Sequence, residues 1–234
     1  MQLISAQDGV LRTLPLQRLG GAGGATFSTG LAALDALPPG GGFARGAVHE
    51  VLGEPAHGTP RFFALLLARA AAAGGGAVVW SDPRGELYPP AGIGSGLPPD
   101  RLFFLQTGSA DEVWAVAECL RCKGVAATVA APPRLSRVEA RRLQLAAESG
   151  GGVGILLRPA GAPSAHYAAA TRWLVRPDRG GEAVQRWSVQ LAHGHGGQVG
   201  RAVRLEVCRD TNHVRAVNVL ADRPGQAQAP RASA

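Results

Sequence analysis

Between Ala47 and Arg69 the chain runs from a short apolar segment, AVHEVL, through a Gly-x-x-x-x-Gly loop (Gly53 to Gly58) into the apolar run RFFALLLAR, and this order restricts the fold more than any other feature. Phe62, Phe63, Leu65, Leu66 and Leu67 fall nearly all round a helix, so that helix must be covered on two sides, by a sheet and by another layer. Strand, glycine loop and helix together have the layout of a phosphate-binding loop. Such loops continue with Lys and then Ser or Thr, because the ammonium reaches the outer phosphates and the hydroxyl holds magnesium. Thr59 and Pro60 occupy those places here. Thr59 is suited to cap the helix with Pro60 at its first position, which satisfies the free N–H groups from within the chain. His57 and Arg61 add positive charge beside the positive helix end, so residual anion binding is the competing reading of Gly53, His57, Gly58, Thr59, Pro60 and Arg61. The expectation is a degenerate loop with no cofactor.

The rest of the chain alternates in the same way. Ser28 or Thr29 is placed to cap a short helix from Leu31 to Leu37, which Pro38 and the turn Gly40 to Gly42 end. Ala77 to Ser81, Leu102 to Gln106, Val125 to Ala131 and Val153 to Arg158 read as apolar strands, with a loop from Asp82 to Pro99. Helices are expected from Asp111 to Lys123 and from Ser136 to Glu148, opened by capping boxes of Ser109 with Glu112 and Ser136 with Glu139. Alternating strands and helices imply parallel pairing through right-handed crossovers. After Pro163, TRWLVR, QRWSVQLAH, GRAVRLEV and HVRAVNVL alternate apolar and polar residues between glycine-rich turns, the pattern of antiparallel strands. The fold expected is α/β: a mainly parallel central sheet flanked by helices, with antiparallel strands added toward the C-terminus.

With 234 residues, 46% hydrophobic and 18% charged, the chain supports one core and is too short for two full domains with linkers. The division expected is an N-terminal arm and Gly-rich linker over 1–27, a core over 28–220 and a flexible tail over 221–234. The arm scatters Leu3, Ile4, Val10, Leu11, Leu14, Leu16 and Leu19, which gain little while solvated, so docking on its own domain or on a partner is preferred to disorder. Signal-peptide and membrane-spanning runs are lacking, and three cysteines do not make a disulfide framework. The chain therefore reads as a soluble, cytoplasmic protein with reduced thiols and no membrane contact. A net charge of +7 permits a nucleic-acid or acidic-protein partner. Lys123 is the only lysine, however, and the Arg, Ala, Gly and Pro excess equally fits a GC-rich genome.

The segment from Ser28 to Gly53, with Ser28-Thr29-Gly30, Leu34-Asp35, the glycine triplet, Gly46 and Glu50, resembles the start of the RecA recombinase core without a gap. RRLQLAAE (Arg141 to Glu148), TRW (Thr171 to Trp173) and Arg186-Trp187 make the chain similar to one branch of that superfamily, the ImuA proteins, which are grouped with SulA-like sequences. The resemblance implies a RecA-like fold and an accessory role in error-prone translesion synthesis during the DNA-damage response. It implies an ImuB-like polymerase-family protein and an error-prone DNA polymerase as partners, with RecA as a further candidate and DNA contact weak or indirect. A SulA-like restraint on cell division and a single-strand-DNA-binding RecA paralogue with residual ATPase are the alternatives.

RecA-like ATPases need an acid after the second strand to activate water and an Asp ending the strand before the DNA loops to hold magnesium. Those positions fall near Asp82 and Pro83, where an acid survives, and near Ala131 and Pro132, where there is none. The segments standing for the DNA loops are short, PPRLS after Ala131 and PAGAPSAHYA after Arg158. Neither hydrolysis nor a catalytic residue is expected.

On the helix from Ser136, the helical period puts Arg134, Arg137, Arg141 and Gln144 along one side and Val138, Leu145 and Ala146 on the other. The basic side is a candidate contact for DNA phosphates or an acidic partner, against the plainer reading of a solvated face. Arg142 falls within the apolar side near Glu139 and reads as a partly buried, paired structural residue. Cys119-x-x-Cys122 lies inside a helix, out of context for zinc or redox chemistry, so no metal is expected. Trp80, Trp114, Trp173 and Trp187 are assigned to core packing, with base stacking on an exposed one as the alternative. His193 and His195 are assigned to a hairpin turn, and His49 and Glu50 to opposite sides of their strand without a catalytic role.

Overall fold

The computed structural model describes residues 4–7, 10–13, 26–53, 61–85, 87–108, 110–161 and 168–220. Near the start, β1 (Ile4–Gln7) and β2 (Val10–Thr13) form an antiparallel hairpin. A second small ribbon pairs β3 (Thr26–Phe27) with β4 (Phe43–Ala44), and α1 (Ala32–Asp35) lies between its strands. Ser28 and Thr29 do not cap α1 as expected. Their hydroxyls donate instead to the buried Asp35 carboxylate, at 2.6 and 2.8 Å, and the Thr29 N–H adds a third bond at 2.9 Å. Three donors satisfy a carboxylate that burial would otherwise penalise, so the segment closes into a knot rather than an ordinary helix start.

The main sheet consists of β5 (Ala47–Gly53), β6 (Ala77–Ser81), β7 (Leu102–Leu105), β8 (Val125–Ala130), β9 (Val153–Pro159), β10 (Thr171–Asp178), β11 (Val184–Gly194), β12 (Ala202–Cys208) and β13 (Val214–Leu220). Among the described residues it has nine strands in the order β13-β12-β11-β10-β5-β9-β8-β6-β7. Pairing is parallel from β10 through β5, β9, β8 and β6 to β7, and antiparallel from β10 out to β13. The expected architecture is therefore present, with the antiparallel strands extending one edge. β5, β6 and β8 are buried along their whole length, as parallel strands covered on both faces should be.

Helix α2 (Arg61–Ala71) covers one face, where Phe63, Leu66 and Leu67 meet Val51, Ile155, Leu157 and Trp173. On the other face lie α4 (Glu112–Arg121) and α5 (Arg137–Gly150), with Val116, Leu120, Leu143 and Ala147 against Val48, Ala130 and Leu156. The stretch expected as loop after Asp82 contains a further helix, α3 (Pro89–Gly94), and a 3-10 turn at Pro99–Arg101. Two proline pairs set φ for a helical first turn there, so proline marks the starts of these turns rather than the absence of structure.

Helix α5 opens with the expected capping box. Ser136 Oγ accepts from the Glu139 N–H at 3.3 Å, while the Glu139 carboxylate accepts from the Ser136 hydroxyl at 2.6 Å and from the Ser136 N–H at 2.7 Å, and these last two bonds, the hydroxyl's first, hold the Glu139 carboxyl below its usual range. The helix is turned differently on its axis from the expectation, however. Ala140, Leu143, Gln144 and Ala147 face inward, while Val138 is 79% and Leu145 47% exposed. Gln144 ties α5 to the sheet: its Oε1 accepts from the Val48 N–H at 2.9 Å. Arg142, expected to be partly buried beside Glu139, lies on the exposed side. At the C-terminus, a Cβ on Gly150 would sit 1.9 Å from the Leu120 carbonyl oxygen of α4, so only glycine allows the helices to approach this closely.

Polar groups join the parallel and antiparallel halves. Thr171 accepts from Trp173 Nε1 at 2.7 Å and contacts His49 Nδ1 at 2.6 Å; His49 Nε2 donates to the Ala44 carbonyl at 2.9 Å. Arg172 Nε donates to Glu50 at 2.8 Å from the other side of the sheet. His49 and Glu50 are thus both buried, on the opposite faces that strand alternation requires.

Candidate functional site

In a mainly parallel α/β sheet, ligands bind outside the carboxyl ends of the strands. At that edge the ends of β6, β8 and β9 open onto a cleft of about 400 Å³, lined in part by Arg61, Ser81, Asp82, Arg84, Thr107, Glu112, Ala131 and Leu157. Gly53 closes β5 beside it, its carbonyl accepting from the Ala160 N–H at 2.8 Å. His57, Gly58, Thr59 and Pro60 lie outside the described residues. Arg61 begins α2, is half-buried, and lines the cleft.

The acids of the cleft are engaged by the protein's own hydrogen bonds. Asp82, which follows β6, accepts from the Leu87 N–H at 2.9 Å and so shapes its own turn. Glu112 is 1% exposed and accepts from the Ser81 hydroxyl at 2.9 Å. Glu112 was expected to complete a capping box with Ser109. Ser109 lies outside the described residues, and Asp111 precedes the helix without a side-chain cap bond. No sequence pattern pairs residues 31 apart, which is why the Ser81–Glu112 contact is not legible beforehand. At the end of β8, Ala131 lines the cleft and Pro132 is buried, so no carboxylate is available there. Two arginines against two carboxylates give this cleft no excess positive charge among its described residues, whereas a triphosphate requires a strong one.

Arg134, Arg137 and Arg141 lie elsewhere, leading into and along the exposed side of α5. Arg141 comes within 3.9 Å of Glu148, with both side chains about half exposed or more. Trp80 and Trp173 are buried and Trp187 packs against Phe62 with the rings tilted by 32° and their centroids 4.8 Å apart, but Trp114 is 55% exposed on α4, against the core assignment. Cys119 and Cys122 pack on Ala77, Val79 and Val125, and burial pushes the Cys119 thiol up to about 11, which keeps it protonated at neutral pH. Among the described residues, no group of His, Cys, Asp and Glu is arranged to hold a metal ion. None of the described helices is long and apolar enough to cross a membrane.

No protein-family model matches the chain. It is 33% identical over 196 residues to the curated Protein ImuA of two strains of Caulobacter vibrioides, a match spanning 74% of this chain and 80% of that protein. In fold it is similar to the crystal structure of the RadB recombinase, with a TM-score of 0.62 and 18% identity over 82% of this chain and 99% of that one.

Proposed function

The chain belongs to the ImuA family, and from that premise we propose that it is a non-catalytic RecA-like accessory protein of error-prone translesion DNA synthesis. It works in the cytoplasm by assembling with an ImuB-like polymerase-family protein and an error-prone polymerase, in damage-induced mutagenesis. The observation that carries the non-catalytic reading is the state of the cleft. Ala131 stands where a RecA-like ATPase needs its magnesium-holding acid, and the two acids that remain, Asp82 and Glu112, are tied to Leu87 and Ser81. Phosphoryl transfer depends on a metal bridging the outer phosphates. A RecA-like sheet without that anchor still offers a rigid frame and free edges for assembly.

Titration with a fluorescent ATP analogue, with and without magnesium, tests the reading. The expected result is no magnesium-dependent affinity. ATP turnover stimulated by single-stranded DNA and abolished by Gly58→Ala would overturn it. Co-purification tests the partner: the polymerase-family protein is expected to accompany the tagged chain, and capture of the tubulin-like division protein in its place would favour the SulA-like alternative.

A further inference from the structure

The outward side of α5 carries an arrangement that a solvated helix does not need. Val138 and Leu145, 79% and 47% exposed, lie seven residues apart, which is two turns and therefore the same line on the helix. Arg141 and Arg142 fall between them, and Arg137 sits at the helix start. Among the described residues, the ion pairs on α4 and α5 are Arg121 with Glu118 and the long Arg141–Glu148 contact, neither of which engages Arg137 or Arg142. Because α4 and α5 each follow a parallel strand, they run in the same direction, and the close approach of Gly150 to Leu120 sets Trp114 of α4 near the level of Leu145 on α5.

This surface fits one kind of occupant. Nucleic acid would satisfy the arginines but leave Val138 and Leu145 without an apolar partner. A second copy of the chain would bring arginine against arginine. The chain's own ends do not match either, because residues 14–25 and 221–234 contain one acid, Asp222, against Arg18, Arg223 and Arg231. We propose that the outward face of α5, with Trp114 at its margin, docks an acidic amphipathic helix of a partner protein. That helix covers Val138 and Leu145 with its own apolar residues and pairs its carboxylates with Arg137, Arg141 and Arg142. The inference rests on the assembly reading above and names the surface through which assembly occurs.

The test uses the full chain and three fluorescein-labelled probes followed by anisotropy: a synthetic helical peptide with Leu at i and i+7 and Glu at i+3 and i+4, its Lys counterpart, and a single-stranded oligonucleotide. The Glu peptide is expected to bind, and to bind at least about tenfold more weakly to Val138→Asp/Leu145→Asp and to Arg141→Glu/Arg142→Glu. The Lys peptide is expected not to saturate. All four positions are exposed, so thermal melts of the variants should match the parent and separate lost docking from lost folding. Glu-peptide affinity unchanged within about twofold in the apolar double variant would overturn the proposal, as would failure of the Glu peptide to bind the parent. Oligonucleotide binding that falls with the arginines and ignores Val138 and Leu145, with no Glu-peptide binding, would reassign the face to DNA. If the parent captures the polymerase-family partner and the apolar double variant captures it equally well, this surface is wrong while the assembly reading stands. If the parent captures none, the assembly reading itself falls.

Discussion

The Glu50 carboxylate lies 2.7 Å from the Arg172 guanidinium, with only 2% and 13% of the two side chains exposed. The two residues are register partners on β5 and β10, so the pair sits where the parallel core meets the antiparallel extension. Removing Arg172 from this pair leaves the buried Glu50 carboxylate without the guanidinium it accepts from. Arg172→Met is therefore expected to lower unfolding free energy by about 3–5 kcal/mol, whereas Glu50→Met/Arg172→Met should recover most of that loss. Urea denaturation of the single and double variants measures both values. A single-variant loss under about 1 kcal/mol would mean that water reaches the pair.

His49, on the opposite face of the same strand, gives the fold a pH dependence. Burial pulls its pKa down from 6.5 to about 4, against the bond to the Ala44 carbonyl, which works in the other direction. The hydroxyl of Thr171 and the Ala44 carbonyl suit a neutral ring with the proton on Nε2. The folded pKa is depressed, so between pH 6.5 and 4 the unfolded chain binds more protons than the folded one. The stabilisation is fully present above pH 6.5 and is lost as pH falls toward 4, an effect on the order of 3 kcal/mol. Denaturation curves at pH 7, 5.5 and 4.5 should show a steeper decline for the parent than for His49→Phe, which starts lower because it lacks both hydrogen bonds. Parallel declines would show that other groups carry the acid sensitivity.

The strands of this fold were largely legible because their faces are simple. AVVWS, buried on both sides, is apolar up to its terminal Ser81, and TRWLVR alternates because only one of its faces is covered by apolar neighbours. Helix α5 was not legible in its orientation. Hydrophobicity points to Val138 and Leu145, but packing follows Ala140 and Ala147, whose small side chains let the helix sit close to β5 and α4, together with a glutamine that bonds the Val48 N–H. A period counted from large apolar residues rotates such a helix away from its true seat. The cleft was legible in what it lacks, the acid at Ala131, and not in what it contains, because Glu112 reaches Ser81 only through the turn of the chain at β7.

Gly150 and Gly151 look interchangeable in sequence and are not so in structure. The Cβ of alanine at Gly150 would lie 1.9 Å from the Leu120 carbonyl oxygen, which is backbone and cannot step aside. Helices α4 and α5 would have to separate, and Gly150→Ala is expected to destabilise by about 3 kcal/mol. Gly151 has φ of 78° and open space around its Cβ position, so Gly151→Ala carries only the left-handed backbone penalty of about 1 kcal/mol. Melting temperatures of the two variants should fall in that order, and equal losses would show that the helices are not held at this distance.

Arg158 presents the opposite case, a group whose removal should help. It lies next to the last residue of β9, opposite Leu52, is 5% exposed, and has its Nε and Nη1 buried without a hydrogen-bond partner. Buried N–H donors that nothing accepts from leave their lost hydration uncompensated. An aliphatic side chain of similar length keeps the packing and removes the unsatisfied donors. Arg158→Met is accordingly expected to raise unfolding free energy by about 1–3 kcal/mol, read as a higher urea midpoint at unchanged slope. A lower midpoint would mean that the folded protein compensates this charge. A higher midpoint combined with loss of damage-induced mutagenesis in cells would mark Arg158 as retained for function against stability, since polar groups kept at such a penalty concentrate where a protein meets its ligands and partners.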